Sequence, residues 1–242
     1  MKIHKTADYE TMGRKAADIV AAQITLKPDS VLGLATGSTP LGLYARLVER
    51  HKAGELDFAR VRTVNLDEYE GLAAAHPQSY RFYMEQNLFS KTGICPGNTH
   101  LPDGLAADPA AECARYDAVI RGFGGIDLQL LGIGHDGHIG FNEPGGHFEN
   151  DTHVAVLTPE TIDANKRFFT SAAEVPRRAY TMGIRPIMLA GRVLVVVSGA
   201  DKADIVRRAF SGPVTPAVPA SILQMHRDVT LVGDEAALGK LL

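Results

Sequence analysis

Ile126-Asp127-Leu128-Gln129-Leu130-Leu131-Gly132-Ile133-Gly134-His135-Asp136-Gly137-His138-Ile139-Gly140-Phe141-Asn142-Glu143 is the stretch on which the reading of this chain turns. Its opening run, Ile126–Leu131, has the apolar character of a buried strand. The residues after it set two carboxylates in Asp136 and Glu143, two imidazoles in His135 and His138, and the amide of Asn142 among four glycines. Glycine lets a ligand approach the backbone, and charged groups at that density where a strand ends point to proton-transfer chemistry.

Working outward, further short apolar segments read as strands: Val31–Ala35, Val61–Leu66, His153–Leu157, Arg192–Val197 and Asp228–Val232. Between them, Asp8–Ile24, Pro40–Lys52, Gln78–Phe89, Pro109–Arg121, Pro159–Phe169, Asp201–Phe210 and Ala220–Met225 have helical spacing or length, several opening on Ser, Thr, Asp or Pro. The alternation predicts an α/β fold, a mostly parallel sheet with helices on both faces. The 242 residues, 45% of them hydrophobic, suffice for one sizeable core, so a single domain over 1–242 is expected. Pro213, Pro216 and Pro219 mark a stiff loop and residues 145–151 another, but neither has the character of an interdomain linker.

A net charge of −3 with scattered Lys and Arg provides no basic face, which argues against nucleic acid or anionic lipid as partner. No apolar stretch approaches the roughly 18 residues of a membrane span. The amino terminus lacks the apolar core of a secretory signal, and Cys95 and Cys113 are the only cysteines, so a cytoplasmic location is expected. The sequence carries no signal that separates a monomer from a homo-oligomer.

Two other segments carry chemistry. Thr36-Gly37-Ser38-Thr39-Pro40 follows the strand Val31–Ala35 and precedes a helix. With Thr39 as its cap and Pro40 in its first turn, the helix start would aim backbone N–H groups and hydroxyls at one point, a natural phosphate site; an ordinary capped helix is the plain alternative. It lacks the Gly-Lys-Ser/Thr ending of a nucleotide-binding loop. In Asn65-Leu66-Asp67-Glu68-Tyr69 a strand ends in an acidic pair, placing Asp67 where a base would be useful, although loop carboxylates also serve as caps.

The glycine-rich segment admits three readings. Gly132-x-Gly134-x-x-Gly137 matches a dinucleotide fingerprint, but Pro144 interrupts any following helix and His135-Asp136 occupy positions where small residues meet a pyrophosphate. His135, His138, His147 and His153 raise zinc, but their spacing matches no zinc motif and neither cysteine is near; His147 and His153 read as solvated loop histidines. The third reading is acid–base work by Asp136, His138 and Glu143, since carboxylates flanking a histidine orient it and stabilise its imidazolium. Such a histidine can shuttle a proton between O1 and O5 of a sugar hemiacetal. Together with a phosphate pocket and a separate base at Asp67, the set describes an aldose phosphate that is opened and then deprotonated beside its carbonyl.

These segments resemble the glucosamine-6-phosphate deaminase family, the Asp136-Gly137-His138-Ile139-Gly140-Phe141-Asn142-Glu143-Pro144 run most specifically. The resemblance extends through Asn165-Lys166-Arg167-Phe168-Phe169, Met182-Gly183-Ile184, Gly199-Ala200-Asp201-Lys202-Ala203 and Pro219-Ala220-Ser221-Ile222-Leu223-Gln224-Met225-His226. It implies a Rossmann-like α/β domain that converts glucosamine 6-phosphate and water to fructose 6-phosphate and ammonia without cofactor or metal. It implies roles for His138 in ring opening, Asp136 and Glu143 as its supporting carboxylates, and Asp67 as the enolising base. The phosphate would lie on Gly37, Ser38 and Thr39, with Arg167 and Lys202 as counter-charges. The sugar phosphate is then the one partner implied.

Longer, hexameric members of the family use basic residues just after the Asn-Glu-Pro block, and a carboxyl-terminal extension, to bind an allosteric sugar phosphate. Here that stretch contains Glu149, Asp151, His153 and Ala155, and the chain stops at Leu242, so unregulated kinetics are expected. Two rival readings share the fold: a 6-phosphogluconolactonase, which needs neither the Asn142-Glu143-Pro144 block nor a carboxylate like Asp67, and a non-catalytic sugar-phosphate sensor.

Overall fold

The computed structural model describes residues 1–169, 171 and 174–241. The chain runs β1 (Lys2–Thr6), α1 (Tyr9–Leu26), β2 (Val31–Leu34), α2 (Leu41–Lys52), β3 (Arg62–Asn65), β4 (Asp67–Tyr69), α3 (Tyr80–Asn87), β5 (Thr99–His100) and α4 (Pro109–Gly122). It continues through β6 (Leu128–Leu131), β7 (His153–Val156), α5 (Pro159–Asn165), β8 (Arg178–Thr181), α6 (Ile184–Leu189), β9 (Arg192–Val197), α7 (Ala203–Ser211), β10 (Val229–Asp234) and α8 (Glu235–Leu238).

Seven strands form a parallel sheet in the order β1-β10-β9-β6-β2-β3-β5, flanked by helices. Strand β9 shows why the sheet is central: Val193, Leu194, Val195, Val196 and Val197 are all buried, the pattern of a strand covered on both faces. From β2 the chain adds β3 and β5 on one side, then returns to lay β6, β9 and β10 on the other. The strand order therefore reverses between β2 and β6, and the crevice above the carboxyl ends of those two strands is where an open α/β sheet binds its ligand. The phosphate-type turn follows β2 and the glycine-rich segment follows β6.

A second sheet, β4-β8-β7, is antiparallel, with Asp67 opposite Thr181 and Glu68 opposite Tyr180. It packs its own small core of Tyr69, Phe141, Ala155, Leu157 and Ala179. This corrects one expectation: His153–Leu157 forms a strand, β7, but in the small sheet and not the parallel one. His153 accordingly opens a strand instead of lying in a loop, and its Nδ1 sits 3.0 Å from the Asp151 carbonyl at an exposed contact. Thr39 does not cap α2; Pro40 holds the cap position and no side-chain oxygen closes it. Residues 219–225 form a 3-10 helix in place of the expected α-helix. No helix among the described residues is long and apolar enough to cross a membrane.

Candidate active site

The side chain of Asp67 is aimed by strand periodicity. Alternate residues of β4 face opposite ways, so Asp67 and Tyr69 line one cavity while Glu68 points behind it. There the Glu68 carboxylate accepts N–H groups from Tyr69, Tyr80 and Arg81, each at 2.9 Å, and so caps the first turn of α3 alongside Ser79. Asp67 is buried, and that desolvation, reinforced by the Glu68 charge and opposed by His138, pushes its carboxyl up to about 8.

The segment after β6 doubles back as a tight loop, with Gly134 N–H donating to the His138 carbonyl at 2.9 Å and Gly137 N–H to the Gly134 carbonyl at 3.1 Å. Gly137 has φ +100° and Gly140 φ +60°, the left-handed region that glycine occupies without strain. Within this loop Asp136 accepts the His138 backbone N–H at 3.0 Å, and its Oδ1 lies 2.8 Å from His138 Nδ1. Glu143 Oε2 approaches the same nitrogen at 3.4 Å from the other side. Burial works against the imidazolium, but Asp136 and then Glu143 outweigh it and raise His138 to about 9. Burial likewise opposes ionisation of Asp136, yet His138 and Glu143 hold its carboxyl well below the usual carboxylate range.

Gly134 makes room for this arrangement: a Cβ on it would fall onto the His138 ring at Cε1, Nδ1 and Nε2. Gly134→Ala is therefore expected to turn the imidazole out of the site and cut turnover by about 10²-fold, the usual cost of misplacing a reacting group by about an ångström. Turnover near the parent rate, with the fold intact by circular dichroism, would show that the ring position is not critical.

Asn142 acts locally, its amide donating to the Ile139 and Met182 carbonyls at 2.8 and 2.9 Å. Phe141 N–H donates to Thr181 Oγ1 at 2.9 Å, which ties the glycine-rich loop to β8 opposite Asp67.

The cavity holds about 580 Å³ and is lined by Gly37, Ser38, Thr39, Asp67, Asp136, His138, Arg167 and Lys202. Glu143 stands outside the lining, on the Nδ1 side of His138. The turn after β2 bends at Gly37, with φ +96°, and Arg167 Nη2 reaches Ser38 Oγ at 3.4 Å from the segment after α5. Lys202 Nζ donates to the Ile133 carbonyl at 2.9 Å, so the ammonium also braces the loop after β6. Burial pulls Lys202 down to about 8, against the charges of Asp201 and Asp136 and with that of Arg167.

Sequence reasoning missed an aromatic wall. Tyr80 stacks on Phe141 with ring centroids 6.1 Å apart, Tyr69 packs against Tyr80 at 4.8 Å, and Phe169 meets Tyr69 edge-on at 5.8 Å. These rings supply the low-dielectric surroundings that raise Asp67. A clue lay in the sequence, since Tyr69 and Phe141 each sit two or three residues from a proposed catalytic group. His135, left without a role, pairs with Asp201 at 2.6 Å in solvent at the cavity mouth.

Asp136, His138 and Glu143 are the only His, Cys, Asp or Glu group among the described residues compact enough to bracket an ion, with donor atoms all within 4.8 Å of one another. The 2.8 Å approach of Nδ1 to Asp136 is the spacing of an N–H facing a carboxylate.

Comparison with known proteins bears on the family and the fold. Residues 5–142 and 147–232 match the family described as glucosamine-6-phosphate isomerases/6-phosphogluconolactonase. A glucosamine-6-phosphate deaminase from Lachnoclostridium phytofermentans is 56% identical over 232 residues, covering 96% of this chain and 98% of that one. A monomeric glucosamine-6-phosphate deaminase of known structure superposes with a TM-score of 0.97 at 45% identity, over 99% of this chain and 100% of that one. The 6-phosphogluconolactonase of Trypanosoma brucei shares the fold, with a TM-score of 0.79 at 22% identity over 100% of this chain and 98% of that one. A likeness that runs the length of the chain, with one cavity joining the turn after β2 to the glycine-rich loop after β6, leaves one conclusion: the chain belongs to the glucosamine-6-phosphate isomerase/6-phosphogluconolactonase family.

Proposed function

We propose that this chain is a glucosamine-6-phosphate deaminase of amino-sugar metabolism, converting glucosamine 6-phosphate and water to fructose 6-phosphate and ammonia. The observation that carries the reading is the meeting of Asp67, His138 and the Gly37–Thr39 turn on one cavity. Because the two key loops cap adjacent strands of one sheet, the reading needs no second domain.

The phosphate docks on the N–H groups and hydroxyls of Gly37, Ser38 and Thr39, neutralised by Arg167 and Lys202. His138, raised to about 9, enters charged at neutral pH; it delivers its proton to the ring oxygen O5 and takes one from O1, opening the hemiacetal. Asp136 and Glu143 hold the ring and stabilise its charged form. The substrate ammonium, brought beside Asp67, favours the ionised carboxylate against burial. Asp67 then removes the C2 proton, made acidic by the C1 carbonyl and the amino group, while His138, charged again after taking the O1 proton, gives it back to O1 to form the enol. The ammonium releases a proton to His138, which frees the nitrogen lone pair; Asp67 delivers its proton to C1, the lone pair forms the C2 iminium, and water hydrolyses this to the ketone and ammonia.

The lactonase reading rests on the shared fold and on a family description that covers both activities, while the relatives of 56% and 45% identity are deaminases. Ammonia release from glucosamine 6-phosphate, measured beside hydrolysis of 6-phosphogluconolactone, separates the two: ammonia without lactone hydrolysis is expected, and the reverse would overturn the assignment. Within the phosphate pocket, Lys202→Ala and Arg167→Ala are each expected to weaken substrate binding by about 1.5–3 kcal/mol, the worth of a hydrogen bond to a charged group. Unphosphorylated glucosamine should bind both variants as it binds the parent. Normal binding of the phosphorylated sugar by both would move the phosphate to other cations.

A further inference from the structure

Two tyrosines outside this set hold the turn on which the phosphate is placed. Tyr83, on α3, donates its hydroxyl to the Gly37 carbonyl at 2.6 Å. Tyr9, the first residue of α1, donates to the Ser38 carbonyl at 2.9 Å and accepts the Gly42 N–H at 2.9 Å, closing the turn onto the first residues of α2. The approach is close enough that a Cβ on Gly42 would sit 3.3 Å from the Tyr9 ring.

The peptide bonds here are trans, so the carbonyl of one residue and the N–H of the next point in opposite directions. A hydroxyl that pulls the Gly37 carbonyl to one side therefore turns the Ser38 N–H to the other, and the hold on the Ser38 carbonyl does the same for the Thr39 N–H. Among the described residues neither N–H donates to another protein group, although both residues line the cavity. Gly37, at φ +96°, is the residue about which an unpinned turn would rotate.

From this geometry we infer that Tyr83 and Tyr9 are positioning residues for phosphate binding, pinning the Gly37 and Ser38 carbonyls back so that the Ser38 and Thr39 N–H groups face the anion. The inference rests on the sugar-phosphate reading of the cavity and adds a reason for the turn's affinity that neither Arg167 nor Lys202 supplies. Burial keeps the Tyr83 phenol above its ordinary range, so it stays a donor through the pH range of the assay.

Tyr83→Phe and Tyr9→Phe each remove one oxygen and leave the ring packing in place. Calorimetric titration with inorganic phosphate should show about a 3- to 10-fold loss of affinity in each, the range for one neutral hydrogen bond, and a larger loss in the double variant. KM for glucosamine 6-phosphate should rise in step while kcat moves less than about twofold, and binding of unphosphorylated glucosamine should not change. Parent-like phosphate affinity in both variants would overturn the inference and leave the sugar-phosphate reading standing. So would a fall in kcat with phosphate affinity preserved, the mark of a general structural role. A parent protein that bound no inorganic phosphate would overturn both.

Discussion

Asp67→Asn is expected to abolish exchange of the C2 proton with solvent and to lower kcat by about 10²- to 10⁴-fold, the range for losing a positioned base, with substrate binding nearly intact. The amide keeps the shape of the carboxyl and cannot accept the proton. The same substitution should stabilise the fold at neutral pH. Burial raises the Asp67 carboxyl from an ordinary 3.8 to about 8, so between those values the folded state binds a proton that the unfolded state has released. Stability from this group is complete below about 4 and is lost as pH rises through about 8. An asparagine carries no such penalty, so thermal melts should place the variant above the parent at pH 8 and level with it near pH 4. Solvent exchange at C2 at the parent rate would remove Asp67 from the role of base. A variant less stable than the parent at pH 8 would show that the carboxyl is not held against its charge.

The second large effect concerns ring opening. His138→Gln should slow turnover of cyclic glucosamine 6-phosphate by about 10²-fold or more, while an open-chain analogue is processed at a rate near the parent's, since the proposed role ends once the aldehyde is free. Equal losses on both substrates would assign His138 to a later step. The folded imidazole sits at about 9 against an ordinary 6.5, so its contribution to stability is present below about 6.5 and is lost as pH rises through about 9. The parent should therefore lose an increment of stability across that window that the variant lacks.

The parallel sheet was legible because its inner strands are apolar on both faces: Arg192–Val197 coincides with β9, and the runs at Val31, Val61, Ile126 and Asp228 fall within a few residues of β2, β3, β6 and β10. The strands that escaped are short or lie at an edge. Lys2–Thr6 borders the sheet and reads as a polar stretch, Thr99–His100 is two residues long, and β4 and β8 carry Asp-Glu-Tyr and Arg-Ala-Tyr-Thr, which have no apolar period. The small antiparallel sheet was invisible for the same reason, and with it the partner of β7. The candidate residues that meet at the cavity could be named because glycine spacing and carboxylate–imidazole clusters are local. The supports could not, because Glu68 reaching Tyr80 and Arg81, Thr181 reaching Phe141, and Tyr9 reaching Ser38 are contacts between segments that only the fold brings together.

The antiparallel sheet has one more implication. Strand β7 leaves it and β8 re-enters it side by side, and the gate is closed by the Leu157 N–H donating to the Arg177 carbonyl at 2.9 Å. The described residues between, including α5 and Arg167, lie beyond that doorway, while Asp67 is anchored on the far edge of the same sheet by its pairing with Thr181. The described residues of that stretch meet the cavity through Arg167 at Ser38 and Phe169 at Tyr69, so a change of length or sequence within it would tell first on the grip of the turn after β2 and on the rings that surround Asp67.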